Sequence, residues 1–298
     1  MKNVRVATVS FGRGSDREAT VQRALNLVER AGEGRPDIIV LPEACVNDCA
    51  TAETVPGPLS DLFAAQAQKH GCYVILPLIR REDDGTLYNV AVLLDPAGKV
   101  AGEYKKMFPT DGEIRDGIIP GETTPVFDTP FGRIGMSICF DLNFPEVIQG
   151  LSAQGAELVF FLSAYEGGRQ LQRWALDYGV YMVSSHRGGV GIFVDKTGHV
   201  LQKGDPNYHP IVVRDLNMDR YIFHLDNNWK KFQAMIAKYG SAIHIDVCRP
   251  EAFFALESRS PEVSVADLAR EFELETFKEY MQRSRECRAA ALNRRPTT

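Results

Sequence analysis

The chain has 298 residues, 44% hydrophobic and 24% charged, which is ample for a large soluble core in one domain or two. Its net charge of −5 gives no electrostatic footing for nucleic acid or an anionic membrane, and no stretch approaches the roughly 18 apolar residues of a membrane span. The basic residues Arg283, Arg285, Arg288, Arg294 and Arg295 are interspersed or terminal and read as solvated surface.

Residues 1–9 enter a strand-like pattern with no apolar signal segment, so a cytoplasmic protein is expected. The cysteines at 45, 49, 72, 139, 248 and 287 show no CxxC pair and are expected to be reduced thiols. Cys45 and Cys49 with Asp48 lack a nearby histidine, so no metal site is expected. Residues 4–10 alternate as a strand. Residues 15–31 form an amphipathic helix, capped by Ser15 or Asp16 and closed by Gly32 and Gly34. Ile38-Ile39-Val40-Leu41 is a continuous apolar run, as expected of a strand covered on both faces, and it stops at Pro42-Glu43. Residues 59–70 are a helix and 72–79 a buried strand. Residues 88–94 and 99–104 pair as a hairpin through Asp95-Pro96-Ala97-Gly98, delivering Lys105 and Lys106. Residues 109–121 read as a polar loop.

In the stretch 132–146, Ile134, Met136 and Ile138 mark a short strand. Asn143, Pro145 and Glu146 mark a helix start. Cys139 therefore falls on a sharp strand-to-helix passage, where a thiol stays accessible and the backbone N–H of Phe140 can meet an oxyanion. A buried core cysteine is an equal reading of this stretch alone. Strands at 158–162, 181–184 and 211–213, a helix at 170–177 and a hairpin of 191–194 with 199–201 complete an α/β layered pattern with mixed sheets. From about residue 221 the composition changes. Trp229, Phe232, Met235, Ile236 and Tyr239 recur at helical spacing, as do Leu268, Phe272, Phe277, Tyr280 and Met281 over 264–281. The expected division is a core domain at 1–220 and a C-terminal helical extension at 221–298, packing on the core and on a partner subunit.

Glu43, Lys106 and Cys139 each end an apolar run or hairpin, and strand ends converge at one rim of a layered α/β sheet. Singly, Glu43 reads as a surface carboxylate and Lys106 as one of a solvated pair; the conjunction is informative. Leu41-Pro42-Glu43, Tyr104-Lys105-Lys106 and Ile138-Cys139-Phe140-Asp141 with Phe144-Pro145-Glu146 resemble the three signatures of the nitrilase superfamily of carbon–nitrogen hydrolases, in the family's order and over roughly residues 3–220. The resemblance implies a four-layer α-β-β-α sandwich, a homodimer or higher homo-oligomer, and no cofactor. It implies Glu43 as general base, Lys106 as the transition-state lysine, Cys139 as nucleophile and Glu113 as the second carboxylate of the family's amidases. Phe140, Asn143, Tyr165 and His186 are expected on the oxyanion and substrate side, although a structural histidine is the competing reading of His186.

Lys105 stands where the family usually has Arg. Asn143 stands where many of its carbamoyl-amino-acid hydrolases carry Arg, which removes a bidentate partner for a substrate carboxylate unless Arg169 or Arg187 substitutes. The expected activity is hydrolysis of a small linear amide. An N-carbamoyl hydrolase is second, a nitrilase third, and a silent binding protein is disfavoured by the intact residues. A papain-like or glutamine-amidotransferase reading fails for want of their motifs.

Overall fold

The computed structural model describes residues 2–205 and 207–294; Met1 and Arg295 lie outside them. They divide into two units, residues 3–216, and residues 217–294 together with Lys2. The first unit runs β1 (Asn3–Val9), α1 (Arg17–Gly32), β2 (Ile38–Val40), α2 (Pro58–His70), β3 (Tyr73–Arg81), β4 (Leu87–Leu94), β5 (Val100–Lys105), α3 (Asp111–Arg115), β6 (Val126–Thr129), β7 (Gly132–Ile138), α4 (Pro145–Ala153), β8 (Leu158–Ser163), α5 (Arg169–Tyr178), β9 (Tyr181–His186), β10 (Ile192–Val194), β11 (Val200–Lys203) and β12 (Ile211–Asn217).

These strands build two six-stranded sheets, ordered β12-β1-β2-β3-β4-β5 and β11-β10-β9-β8-β7-β6. Neighbours joined through a helix are parallel, β1–β2–β3 in one sheet and β7–β8–β9 in the other. Neighbours joined by a turn or short loop are antiparallel, because only a crossover can return the chain in the same direction. Side-chain alternation then produces the layers. Ile39 packs with Val28 of α1 and Phe63 of α2, so the equally buried Ile38 and Val40 face the other way. Val159 and Phe161 pack with Leu151 of α4 and Trp174 of α5, leaving Phe160 and Leu162 for the inner face. The sheets meet there: Ser185 Oγ donates to the Val9 carbonyl at 2.7 Å, and Ser10 Oγ accepts from His186 N at 3.1 Å. The result is the α-β-β-α sandwich expected from the sequence.

The β4–β5 hairpin carries a bulge. Leu93 pairs with Gly102 but Leu94 with Val100, so Ala101 is an extra residue. Beyond it Lys105 lies opposite Val90, and Lys106 N donates to the Asn89 carbonyl at 2.9 Å.

The second unit corrects one expectation. Its elements are β13 (Arg220–His224), α6 (Phe232–Tyr239), β14 (Ile243–Cys248), β15 (Phe253–Ser258), α7 (Val265–Glu271) and α8 (Phe277–Asn293). The extension is therefore not all helical: an antiparallel sheet ordered β13-β15-β14 forms its centre. The Phe-Phe-Ala-Leu run of β15 and the Ile-His-Ile-Asp-Val alternation of β14 are strand signals, but the helical spacing around them dominated the reading. The expected helix over 264–281 is two helices. Glu273 sits at φ 49°, and Thr276 opens α8 by accepting from Glu279 N while the Glu279 carboxylate accepts from Thr276 N at 2.8 Å. Phe232 and Phe272 pack onto the unit's own core of Phe223, Phe254, Leu256 and Leu268, whereas Trp229 and Ile236 are more than half exposed. Among the described residues no helix is long and apolar enough to cross a membrane.

Candidate active site

Strand β7 ends in extended geometry at Ile138, and Cys139 then turns to φ 49° before a single 3-10 turn, Cys139–Asn143, leads toward α4. A non-glycine residue in the left-handed region is held there by its surroundings. Here the holder is Asp141, fully buried. Its Oδ2 accepts from the Tyr104 hydroxyl at 2.6 Å and from Ile138 N at 2.8 Å, and its Oδ1 from Phe108 N at 2.9 Å. One carboxylate thus ties the segment bearing Cys139 to the segment bearing Lys106. Burial pushes the Asp141 carboxyl up to about 6, and these donors limit the rise. Asn143 does not cap α4 as expected; Phe144 holds that position without a side-chain bond. Asn143 instead closes the turn, donating to the Phe140 carbonyl at 3.1 Å and accepting from Gln170 Nε2 at 2.7 Å.

Glu43 follows β2, Lys106 follows β5, and Glu113 lies on α3, within the stretch read as a loop. Thr110-Asp111-Gly112-Glu113 is a capping box: Thr110 Oγ1 accepts from Glu113 N, and Glu113 Oε2 accepts from Thr110 N at 2.8 Å. The capping role points the same carboxylate at Lys106. Lys106 Nζ donates to Glu43 Oε1 at 2.7 Å and to Glu113 Oε2 and Oε1 at 2.7 and 2.9 Å. Asn89 Nδ2 donates to Glu43 Oε1 at 3.0 Å and Glu113 Oε1 at 2.7 Å. Lys106 is 1% exposed. Burial alone would depress its ammonium, but the two carboxylates outweigh it and hold the pKa above the ordinary lysine value. Burial likewise works to raise Glu113, and Lys106 overrides it, leaving that carboxyl below its ordinary range. Lys105 points the other way, to Glu82 at 2.9 Å and over the Tyr88 ring at 3.8 Å.

Glu43, Asn89, Lys106, Glu113, Cys139 and Arg187 all line one cavity of about 330 Å³. Arg187 Nη2 stands 4.0 Å from Glu43 Oε2. Burial, then the Glu43 charge, push the Cys139 thiol up to about 11; Lys106, the Ala164 N–H and the Ser163 hydroxyl pull it back only in part. With the thiol held up in this way, a neighbouring base has to take the proton during attack.

The structure brings Glu43, Lys106, Glu113 and Cys139 together. Phe140, Asn143, Tyr165 and His186 are not among the residues lining that cavity. Phe140 is 38% exposed and lies edge-on to Phe144. Tyr165 N donates to Ser163 Oγ at 2.9 Å, and burial pushes its phenol up to about 12. His186 is buried beneath Gly189, where an added Cβ would fall 1.6 Å from its Nδ1, and burial lowers its pKa. Arg169 begins α5 and is not a lining residue either. Sequence reasoning missed Asn89, Ser163 and Ala164. Thr110 could have been found from the capping-box spacing; Asn89, mid-strand, carried no such signal.

Fold and site together are those of a double-sheet sandwich with a lysine buried between two carboxylates in the cavity that Cys139 lines. Residues 5–222 match the family model described as carbon-nitrogen hydrolase, and the chain belongs to that family. It is similar to the omega-amidase NIT2 of Xenopus tropicalis, 29% identical over 206 residues that cover 62% of this chain and 75% of that protein. It is also similar to the deaminated glutathione amidase of Yersinia enterocolitica, 28% identical over 184 residues, 55% of this chain and 64% of that one. Among solved structures, Nit3 of Saccharomyces cerevisiae, described as a member of branch 10 of the nitrilase superfamily, superposes with a TM-score of 0.65 at 22% identity, covering 72% of this chain and 90% of that one.

Proposed function

We propose that the chain hydrolyses a small linear amide through a thioester on Cys139, releasing ammonia. The observation that carries this reading is Lys106 clasped between Glu43 and Glu113 in the cavity that Cys139 lines. The Cys139 sulfur attacks the amide carbon while its proton passes to Glu43, and Lys106 stabilises the tetrahedral oxyanion. The C–N bond then breaks as Glu43 returns that proton to the leaving nitrogen. Water attacks the thioester, Glu43 takes one of its protons, and collapse releases the acid and restores the thiol. The names of the curated relatives, both amidases, support amide over nitrile. The test is ammonia release across amides, N-carbamoyl compounds and nitriles, with intact mass measured during turnover; an acyl adduct absent from Cys139 at every burst would overturn the route.

Glu43→Gln separates base from nucleophile. Turnover is expected to fall at least about a hundredfold. The Cys139 thiol, relieved of the neighbouring charge, is expected to titrate below about 11 in pH-dependent alkylation. Activity within threefold of wild type would assign the proton to another residue, Glu113 first.

The N-carbamoyl reading has one observation in its favour, the guanidinium groups of Arg13 and Arg187 in the cavity wall. Arg187 already faces Glu43, Arg13 is engaged by Asp48 at 3.5 Å and by the Asn47 carbonyl, and Asn143 supplies no charge, so a buried substrate carboxylate would compete with these partners. Neutral amides are expected to exceed N-carbamoyl amino acids of the same side chain in kcat/KM by at least about tenfold, or about 1.4 kcal/mol. The reverse order would make Arg187 the residue to mutate and carbamoyl hydrolysis the first reading.

A further inference from the structure

We propose that Asn89 is a positioning residue, whose one carboxamide nitrogen fixes Glu43 and Glu113 around Lys106 so that Glu43 stands beside Cys139 as an ionised base. The role rests on the amidase reading above and adds a residue to it. Asn89 is 2% exposed on β4, opposite the chain segment that leaves β5. It touches all three charged residues of the cluster. Its carbonyl accepts Lys106 N at 2.9 Å, and its Nδ2 donates to Glu43 Oε1 at 3.0 Å and Glu113 Oε1 at 2.7 Å. These residues come from three separate stretches of chain, and one strand residue sets their spacing.

The orientation of the carboxamide is determined by its neighbours. The two protons on Nδ2 match the two carboxylate oxygens, and a flipped amide would turn Oδ1 toward both. Oδ1 consequently lies buried with no hydrogen-bond partner among the described residues. A leucine of similar size would avoid that cost, so packing alone does not account for an amide here.

The charges account for it. Two carboxylates share one ammonium, and like charges on a common partner drive one of the pair toward protonation. Lys106 and, more distantly, Arg187 face Glu43, together with the Cys139 thiol. Lys106 and the Thr110 N–H and hydroxyl face Glu113. Of these groups Asn89 is the neutral side chain that reaches both carboxylates, and its donation is among the contacts that hold Glu113 low. It favours the doubly ionised pair without adding a charge that would compete with Lys106 for the oxyanion.

The test compares Asn89→Ala, which removes the donor group without adding a charge, and Asn89→Leu with wild type and with Cys139→Ala, measuring kcat and KM across pH alongside thermal unfolding. Both Asn89 variants are expected to lose at least about thirtyfold in kcat with KM within threefold. The acid limb of their kcat/KM profiles should move upward by about one pH unit or more, because the ionised base has lost a donor. A structural role would lower the unfolding temperature without moving that limb. If Asn89→Leu does not fold, Asn89→Ala carries the test. An acid limb superimposed on wild type overturns the role of Asn89 alone, provided Cys139→Ala is inactive. Turnover by Cys139→Ala overturns the underlying reading and this role with it.

Discussion

Cys139→Ala is expected to abolish turnover completely while the protein still folds. The strained φ of 49° is imposed by Asp141 and its three donors, none of which involves the sulfur. Alanine accepts that backbone geometry as well as cysteine does, so the unfolding temperature should change little. No other thiol can substitute. Cys45, Cys72 and Cys248 are buried and do not line the cavity. Cys49 also lines the cavity, but it lies beyond the turn that follows Glu43, with no strand-to-helix passage to present it. Cys287 is exposed on α8 and will react with iodoacetamide, so Cys287→Ser is the background in which to follow Cys139. In that background, loss of activity should track a single modification. Residual hydrolysis above about one part in a thousand in Cys139→Ala would remove the thioester from the mechanism.

Lys106→Met is expected to cost both activity and stability. Losing an oxyanion donor typically costs on the order of 10²–10³ in rate. The substitution also leaves Glu43 and Glu113 facing each other in a buried site with no cation between them. Breaking a buried pair in this way destabilises by about 3–5 kcal/mol. The pH dependence has a sign. In wild type the Glu113 carboxyl is held below its ordinary 4.5, so its contribution to stability is complete above that value and fades as pH falls through the lowered one. In the variant the uncompensated carboxylates gain from protonation instead. The stability gap between the two proteins should therefore be widest near neutrality and narrow in acid. Chemical denaturation at pH 7 and pH 4 measures it; a gap that stays constant would show that Lys106 does not compensate the carboxylates.

Glu43 and Cys139 are legible as reactive residue types at the ends of apolar runs and Lys106 as one at the end of a hairpin, but each has a bland reading singly and their roles come from the resemblance. The α/β layering with mixed sheets is legible in the unbroken apolar runs, whereas the four-layer sandwich comes from the resemblance. Glu113 was placed by resemblance, although the Thr110 capping box that orients it was visible and went unread because five residues are too few to show helical periodicity. Asn89 was invisible. Its importance arises from three other segments converging on it, and no local pattern encodes convergence. The strands at 243–248 and 253–258 were passed over because apolar residues at helical spacing flank them. The capping of α4 was misassigned because Asn143 found a closer carbonyl inside the 3-10 turn.

The bulge at Ala101 gives the hairpin a meaning that neither lysine carries by itself. Lys105 and Lys106 are chemically identical neighbours on opposite faces of one chain, and the cavity receives whichever of them the count of residues from the turn delivers inward. With the register counted from the turn, removing one residue between Leu94 and Tyr104 would put Lys106 in the place of Lys105, facing Glu82, and Met107 in the place of Lys106 beside the carboxylates. The identity of the buried lysine is thus a matter of arithmetic in the β4–β5 ladder. A change of two residues in this turn would keep Lys106 on the inward face but move it to the place of Tyr104, so neither step preserves the cluster.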